Sequence, residues 1–162
     1  MKINKIYISV IITSILLFGN LYSQSHLERN KIPQIIKEQF YKDFPNSKIF
    51  SSNIKELNKR QYIQIESIVE HKMVKILYDK KGKKYLVEKE INNKDLPKHI
   101  HSAIRKTMPG FQLLTSKKIS TNKKTEYKVC VYKDEEEYNV IYSSKGKVKA
   151  KERIYDATEM GC

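Results

Sequence analysis

Apolar side chains recur at every fourth position in two stretches of the chain, at Ile32, Ile36, Phe40 and Phe44 and again at Leu96, Ile100, Ile104 and Met108. That spacing puts them on one face of a helix. Each stretch carries proline at its second position, Pro33 and Pro97, where a missing N–H costs a first helical turn nothing. Each is followed by another proline, Pro45 and Pro109, which disfavours helical geometry in the residue before it. The pattern predicts helices over Pro33–Phe44 and Pro97–Met108.

Outside these stretches the period changes from four to two. Gln61–Val69 alternates with Ile63, Ile65 and Val69 on one side, and Lys72–Asp79 with Val74, Ile76 and Tyr78. Lys48–Leu57 and Lys83–Ile91 complete a first set of four strands, with a glycine turn at Lys80-Lys81-Gly82 where positive φ is wanted. A second set reads Phe111–Ser120, Thr125–Lys133, Glu136–Tyr142 and Lys147–Tyr155. One offset of 64 residues relates the four prolines, Tyr78 to Tyr142 and Gly82 to Gly146. The expected fold class is therefore α+β: a tandem duplication, at 31–91 and 95–155, of a helix followed by about four antiparallel strands. Strands with one polar side mean a sheet covered on one face, so both helices are expected on one face of a curved antiparallel sheet. A unit of about 60 residues is marginal alone, so the two are expected to share a sheet or core. A short tail, 156–162, follows.

The first 25 residues read as a secretory signal peptide: Lys2 and Lys5, an apolar run from Ile6 to Phe18, and small residues at Ser23 and Ser25. The run is short for a membrane span, and no stable membrane anchor is expected. The mature protein is placed outside the cytoplasm, periplasmic or secreted.

The formal net charge of +14 comes almost wholly from lysine. Ile, Asn, Lys and Tyr, all with A/T-rich codons, are abundant together, so codon bias accounts for much of the basicity. Arginine, the residue of bidentate base contacts, is scarce. Nucleic acid is not expected as a partner.

Candidate chemistry is sparse. His99 and His101 stand two apart on a helix and point in different directions, so no metal site is expected. Asp134-Glu135-Glu136-Glu137 has no glycine to shape a calcium loop and reads as a solvated hairpin. No G-x-S-x-G, Walker, H-E-x-x-H or C-x-x-C pattern occurs. The expectation is a protein that is not an enzyme and has no cofactor. Cys130 and Cys162 are the two cysteines, and a disulfide between them is a candidate in an exported chain; a pair of free thiols is the alternative.

Alternation sends Tyr62, Ile68, Met73, Leu77, Cys130, Tyr132 and Ile141 to the sheet face away from the helices. Such a face is more apolar than solvation requires. It reads either as packing between the two halves or as a partner-binding surface.

The apolar-Pro-(x)11-Pro pattern of each helix, followed by Tyr-Asp-Lys-Lys-Gly-Lys at Tyr78–Lys83 and Tyr-Ser-Ser-Lys-Gly-Lys at Tyr142–Lys147, resembles the PepSY-like repeat of exported, β-lactamase-inhibitor-like bacterial proteins. The resemblance spans roughly residues 31 to 155. The second turn departs from it, with Ser143 where Asp is common in the family. The resemblance implies two helices on a curved antiparallel sheet and an exported binding or inhibitory role, and carries over no catalytic residue. The functional expectation is a binding module docking an unknown protein or peptide on its exposed sheet face. The competing expectation is a small-ligand or polyanion binder using the lysine-rich surface.

Overall fold

A computed structural model describes residues 32–154; the expected signal peptide and the whole of the tail, Cys162 included, lie outside the described residues. Helix α1 (Gln34–Asp43) is followed by strands β1 (Lys48–Leu57), β2 (Arg60–Val69), β3 (Lys72–Tyr78) and β4 (Lys84–Ile91). A 3-10 turn, Asn93–Asp95, leads into helix α2 (Lys98–Thr107). Strands β5 (Gln112–Thr121), β6 (Thr125–Lys133), β7 (Glu136–Ser143) and β8 (Val148–Ile154) complete the order.

The expected fold class needs correction. A tandem duplication into consecutive helix-and-strand units is not the architecture: all eight strands form one antiparallel sheet in the order β1 to β8. The pairing of β4 with β5, from Leu86↔Thr121 to Ile91↔Ser116, overturns the division. The physical reason is the ladder itself. Split there, β4 and β5 would each expose a row of unpaired N–H and C=O groups; joined, they satisfy one another. Period reading assigns residues to strands but is blind to pairing across the boundary.

Both helices are held by their apolar stripes. A ten-residue helix is marginal alone, and neither has a side-chain cap at its N-terminus. Instead the carbonyl oxygens of Pro33 and Pro97 accept the first N–H groups of each helix, and the Phe44 and Met108 N–H groups donate back to Phe40 and Ile104 at the other end. Ile36 and Phe40 are fully buried against Ile65, Val74, Ile76 and Tyr78. Ile100 and Ile104 are buried against Val129, Val131, Val140 and Tyr142.

The helices cover the same face. Along β4, Val87 packs into the first core and Ile91 into the second, and residues four apart on a strand share a face. Lys89 lies between them, with Lys118 as its cross-strand partner. One sheet thus carries two apolar cores separated by a row holding two lysines, where like charges oppose burial.

Asn93 closes the junction between β4 and α2. Its Nδ2 donates to the carbonyls of Leu113 and Leu114, both at 3.2 Å, and its Oδ1 accepts from the buried Ser116 hydroxyl at 2.7 Å. Three tight turns complete the meander with paired positive φ: Asn58-Lys59, Glu70-His71 and Asp134-Glu135. Two-residue turns of this hand match the twist of the strands they join.

Candidate functional site

With both helices on one face, the opposite face is open, and ladder partners place its residues. Tyr62, Ile68, Met73, Leu77, Cys130, Tyr132 and Ile141 all fall on it, since their strand neighbours Ile63, Ile65, Val74, Ile76, Tyr78, Val129 and Val131 fill the cores. Their exposures differ widely. Ile68 is 56% exposed and Tyr132 38%, with Met73 and Ile141 partly exposed. Tyr62, Leu77 and Cys130 are buried at 7%, 5% and 2%.

Tyr62 is buried by a local irregularity of β4. The register slips between Leu77↔Leu86 and Tyr78↔Lys84, leaving Tyr85 as an extra residue. A bulge re-aims the side chain it adds. The Tyr85 ring stacks on Tyr62 with centroids 4.5 Å apart and planes 29° from parallel. Tyr85 itself is 37% exposed, so the pair offers one outward aromatic surface. Alternation counting missed Tyr85 because a bulge shifts the period by one; nothing in the residue types around it marks the slip.

Charged pairs, rather than a continuous apolar patch, cross the middle of the open face. Lys75 Nζ lies 3.0 Å from Glu66, and Lys117 Nζ lies 3.6 Å from Glu88. Ile68 pairs with Met73 across β2 and β3, Ile141 lies four strands beyond them on β7, and Tyr132 stands opposite Glu137.

Two clefts open at one end of the sheet. The larger, about 830 Å³, is lined by the β1–β2, β3–β4 and β5–β6 turns around Tyr62 and Tyr85, with Lys59, Lys81, Lys83 and Lys123 at its rim. The second, about 380 Å³, lies between the β5–β6 and β7–β8 turns and includes Lys145, Lys147 and Lys149. Asp79 does not serve as a free carboxylate in the first. Its Oδ1 accepts from the Lys81 and Lys83 N–H groups at 2.9 Å each and fixes the turn.

His99 Nε2 lies 2.8 Å from the Ser144 carbonyl oxygen, joining α2 to the β7–β8 turn. Among the described residues no group of three or more His, Cys, Asp or Glu is arranged to hold a metal. No described helix is long and apolar enough to cross a membrane. No cysteine among the described residues is a free thiol, while the other member of the expected pair, Cys162, lies outside them.

Two helices on one face of an eight-stranded antiparallel meander define a BLIP-like α+β fold. The chain is similar in structure to a DUF2874 family protein from Bacteroides uniformis, with a TM-score of 0.64 and 11% identity over 80% of this chain and 95% of that one. It is also similar to a BLIP-like protein from Bacteroides fragilis, with a TM-score of 0.57 and 15% identity over 77% and 88% of the two chains. A Bacteroides eggerthii protein designated periplasmic gives a TM-score of 0.64 at 11% identity, over 78% and 92%. No protein-family model and no curated protein sequence matches the chain. At such identities the likeness concerns the fold.

Proposed function

We propose that this protein is an exported, non-enzymatic binding module of the PepSY-like, β-lactamase-inhibitor-like kind, which docks an acidic protein or peptide on the open face of its sheet. The observation that carries the reading is the placement of both helices on one face, which leaves Ile68, Met73, Tyr132 and Ile141 accessible on the other. Export is supported by the N-terminal pattern of Lys2, Lys5 and the apolar run and by the periplasmic designation of a structural neighbour. An excess of lysine steers an acidic partner toward the surface, and a few large side chains then dominate the affinity. A partner captured from envelope extract is to be titrated against Ile68→Asp, Tyr132→Ala and the helix-side control Lys42→Glu. The reading expects at least a tenfold loss in the first two and little change in the third; equal affinities in all three overturn it.

A second reading, a small anionic ligand or polyanion held by lysines, is favoured by one observation: cationic side chains converge on the two clefts.

A further inference from the structure

Consecutive antiparallel strands put alternate turns at the same end of a sheet. Here the β1–β2, β3–β4, β5–β6 and β7–β8 turns share one end. Counted with the strand residue on either side, these four segments hold ten cations and one carboxylate, that of Asp79. The opposite end has a different balance. Its segments, Pro45–Lys48, Val69–Lys72, Ile91–Leu96, Met108–Gln112 and Lys133–Glu136, hold four lysines against five carboxylates. Codon bias acts equally on both ends, so the difference between them is a property of the surface rather than of the genome.

The two clefts join these tips into one track. The larger is lined from the first three turns and the smaller from the last two, with the β5–β6 turn shared. Neighbouring tips are two strand spacings apart, about 10 Å, so four span about 30 Å. The clefts occupy corresponding positions 64 residues apart but differ in chemistry. Where the first has Tyr62 and Tyr85, the second has Glu126 and Lys149. Only the first therefore offers an aromatic platform.

We propose that this row of hairpin tips is a binding track for a linear acidic polysaccharide, its carboxylate or sulfate groups held by lysines and one sugar ring laid on Tyr85. The proposal rests on the second reading above and gives it a site and a ligand class. The favoured class follows from what the track lacks as much as from what it has. Nine of its ten cations are lysines, Arg60 being the exception. Lysine is a mobile point charge suited to scattered anionic groups, without the planar fork that reads base edges. Single-stranded nucleic acid is held on several aromatic platforms that stack successive bases; here Tyr62 is covered and Tyr85 alone faces outward. A peptide strand would need an unpaired edge to extend, but the tips present turns that bond internally, as at Gly82 N–H to the Asp79 carbonyl and Gly146 N–H to the Ser143 carbonyl.

The test is calorimetric titration of the exported chain with oligogalacturonate (carboxylate only) and a heparin oligosaccharide (sulfate and carboxylate), at two ionic strengths. Lys81→Glu/Lys123→Glu/Lys145→Glu reverses one charge at each of three tips. Lys42→Glu/Arg105→Glu/Lys106→Glu makes the same change in net charge on exposed helix positions away from the tips. The track predicts at least a tenfold loss of affinity in the first triple variant and under threefold in the second. Tyr85→Ala is expected to weaken binding at least threefold at the higher ionic strength, where charge attraction is screened. Whichever oligosaccharide binds tighter names the source of the anion. Equal losses in the two triple variants mean attraction to overall charge and overturn the track. Tighter binding of a charge-matched oligodeoxynucleotide or polyglutamate overturns the ligand class. Failure of every polyanion to bind overturns the proposal and leaves protein docking on the open face to its own variants, Ile68→Asp and Tyr132→Ala.

Discussion

Thr107 Oγ1 lies 2.7 Å from the Tyr142 hydroxyl, joining the last turn of α2 to the C-terminal end of β7. The residues 64 positions earlier, Asp43 and Tyr78, do not repeat the bond: the Tyr78 hydroxyl is buried without a hydrogen-bond partner. Asp43 instead accepts from Gln39 at 3.1 Å and pairs with Lys84 at 3.1 Å. Burial pushes the Tyr78 phenol well above the ordinary tyrosine range, and the Asp43 carboxylate, by its charge and as a nearby acceptor short of full hydrogen-bond geometry, pushes it further. Burial also raises Tyr142, where the bond to Thr107 partly offsets the rise.

The two tyrosines should therefore respond differently to loss of the hydroxyl. Tyr142→Phe removes this bond, while Thr107 keeps its bond to the Ala103 carbonyl at 2.8 Å, and should cost about 1 kcal/mol. Tyr78→Phe removes an unsatisfied buried hydroxyl and should be neutral or stabilising at pH 7. Urea unfolding of both variants checks this, and a larger loss for Tyr78→Phe contradicts it.

Stability should fall on the alkaline side. With the Tyr78 phenol raised in the folded state, the unfolded chain ionises first, from about pH 10 upward. The contribution is intact below that pH and is lost as pH rises toward the folded value. Tyr78→Phe should flatten this part of the stability profile between pH 9 and about 11 relative to the parent protein.

Phe40 is fully buried in the first core, with its ring 5.5 Å from that of Phe44. Phe40→Ala should destabilise by about 3–5 kcal/mol. A loss under about 1 kcal/mol in chemical denaturation would be incompatible with that packing.

Gly146 has φ +80°, and an added Cβ would stand 3.1 Å from the Ala103 Cβ on α2. Gly110 has nearly the same φ, +79°, but there a Cβ would meet only the flexible end of Lys133 at 3.4 Å. Gly110→Ala carries the backbone cost alone, about 1–2 kcal/mol. Gly146→Ala adds the displacement of a packed helix and should be the more destabilising of the two by thermal unfolding.

We propose a bridge between Cys130 and Cys162. Cys130 is 2% exposed, so labelling of the native protein would be slow whatever its state. Alkylation of the non-reduced protein in denaturant is expected to modify no thiol, and two modified thiols per chain would exclude the bridge.

The local elements are legible in the chain alone. Four-residue apolar spacing between prolines marks both helices to within a residue or two, and two-residue alternation marks the strands and, in β2 and β3, the side that enters the core. Both signals depend on near neighbours along the chain and are complete in it. Pairing was decided only in three dimensions. The ladder from Leu86↔Thr121 to Ile91↔Ser116 makes one sheet of what reads as two units, because an open strand edge gains hydrogen bonds from whichever edge folding brings beside it. The open face was legible as a set of residues but not in its exposure. The bulge at Tyr85 lays one ring over another and buries Tyr62, a one-residue slip that no period records. The lysines were visible as a total charge. Their concentration at one end of the sheet follows from an unbroken meander, which carries every second turn to the same edge.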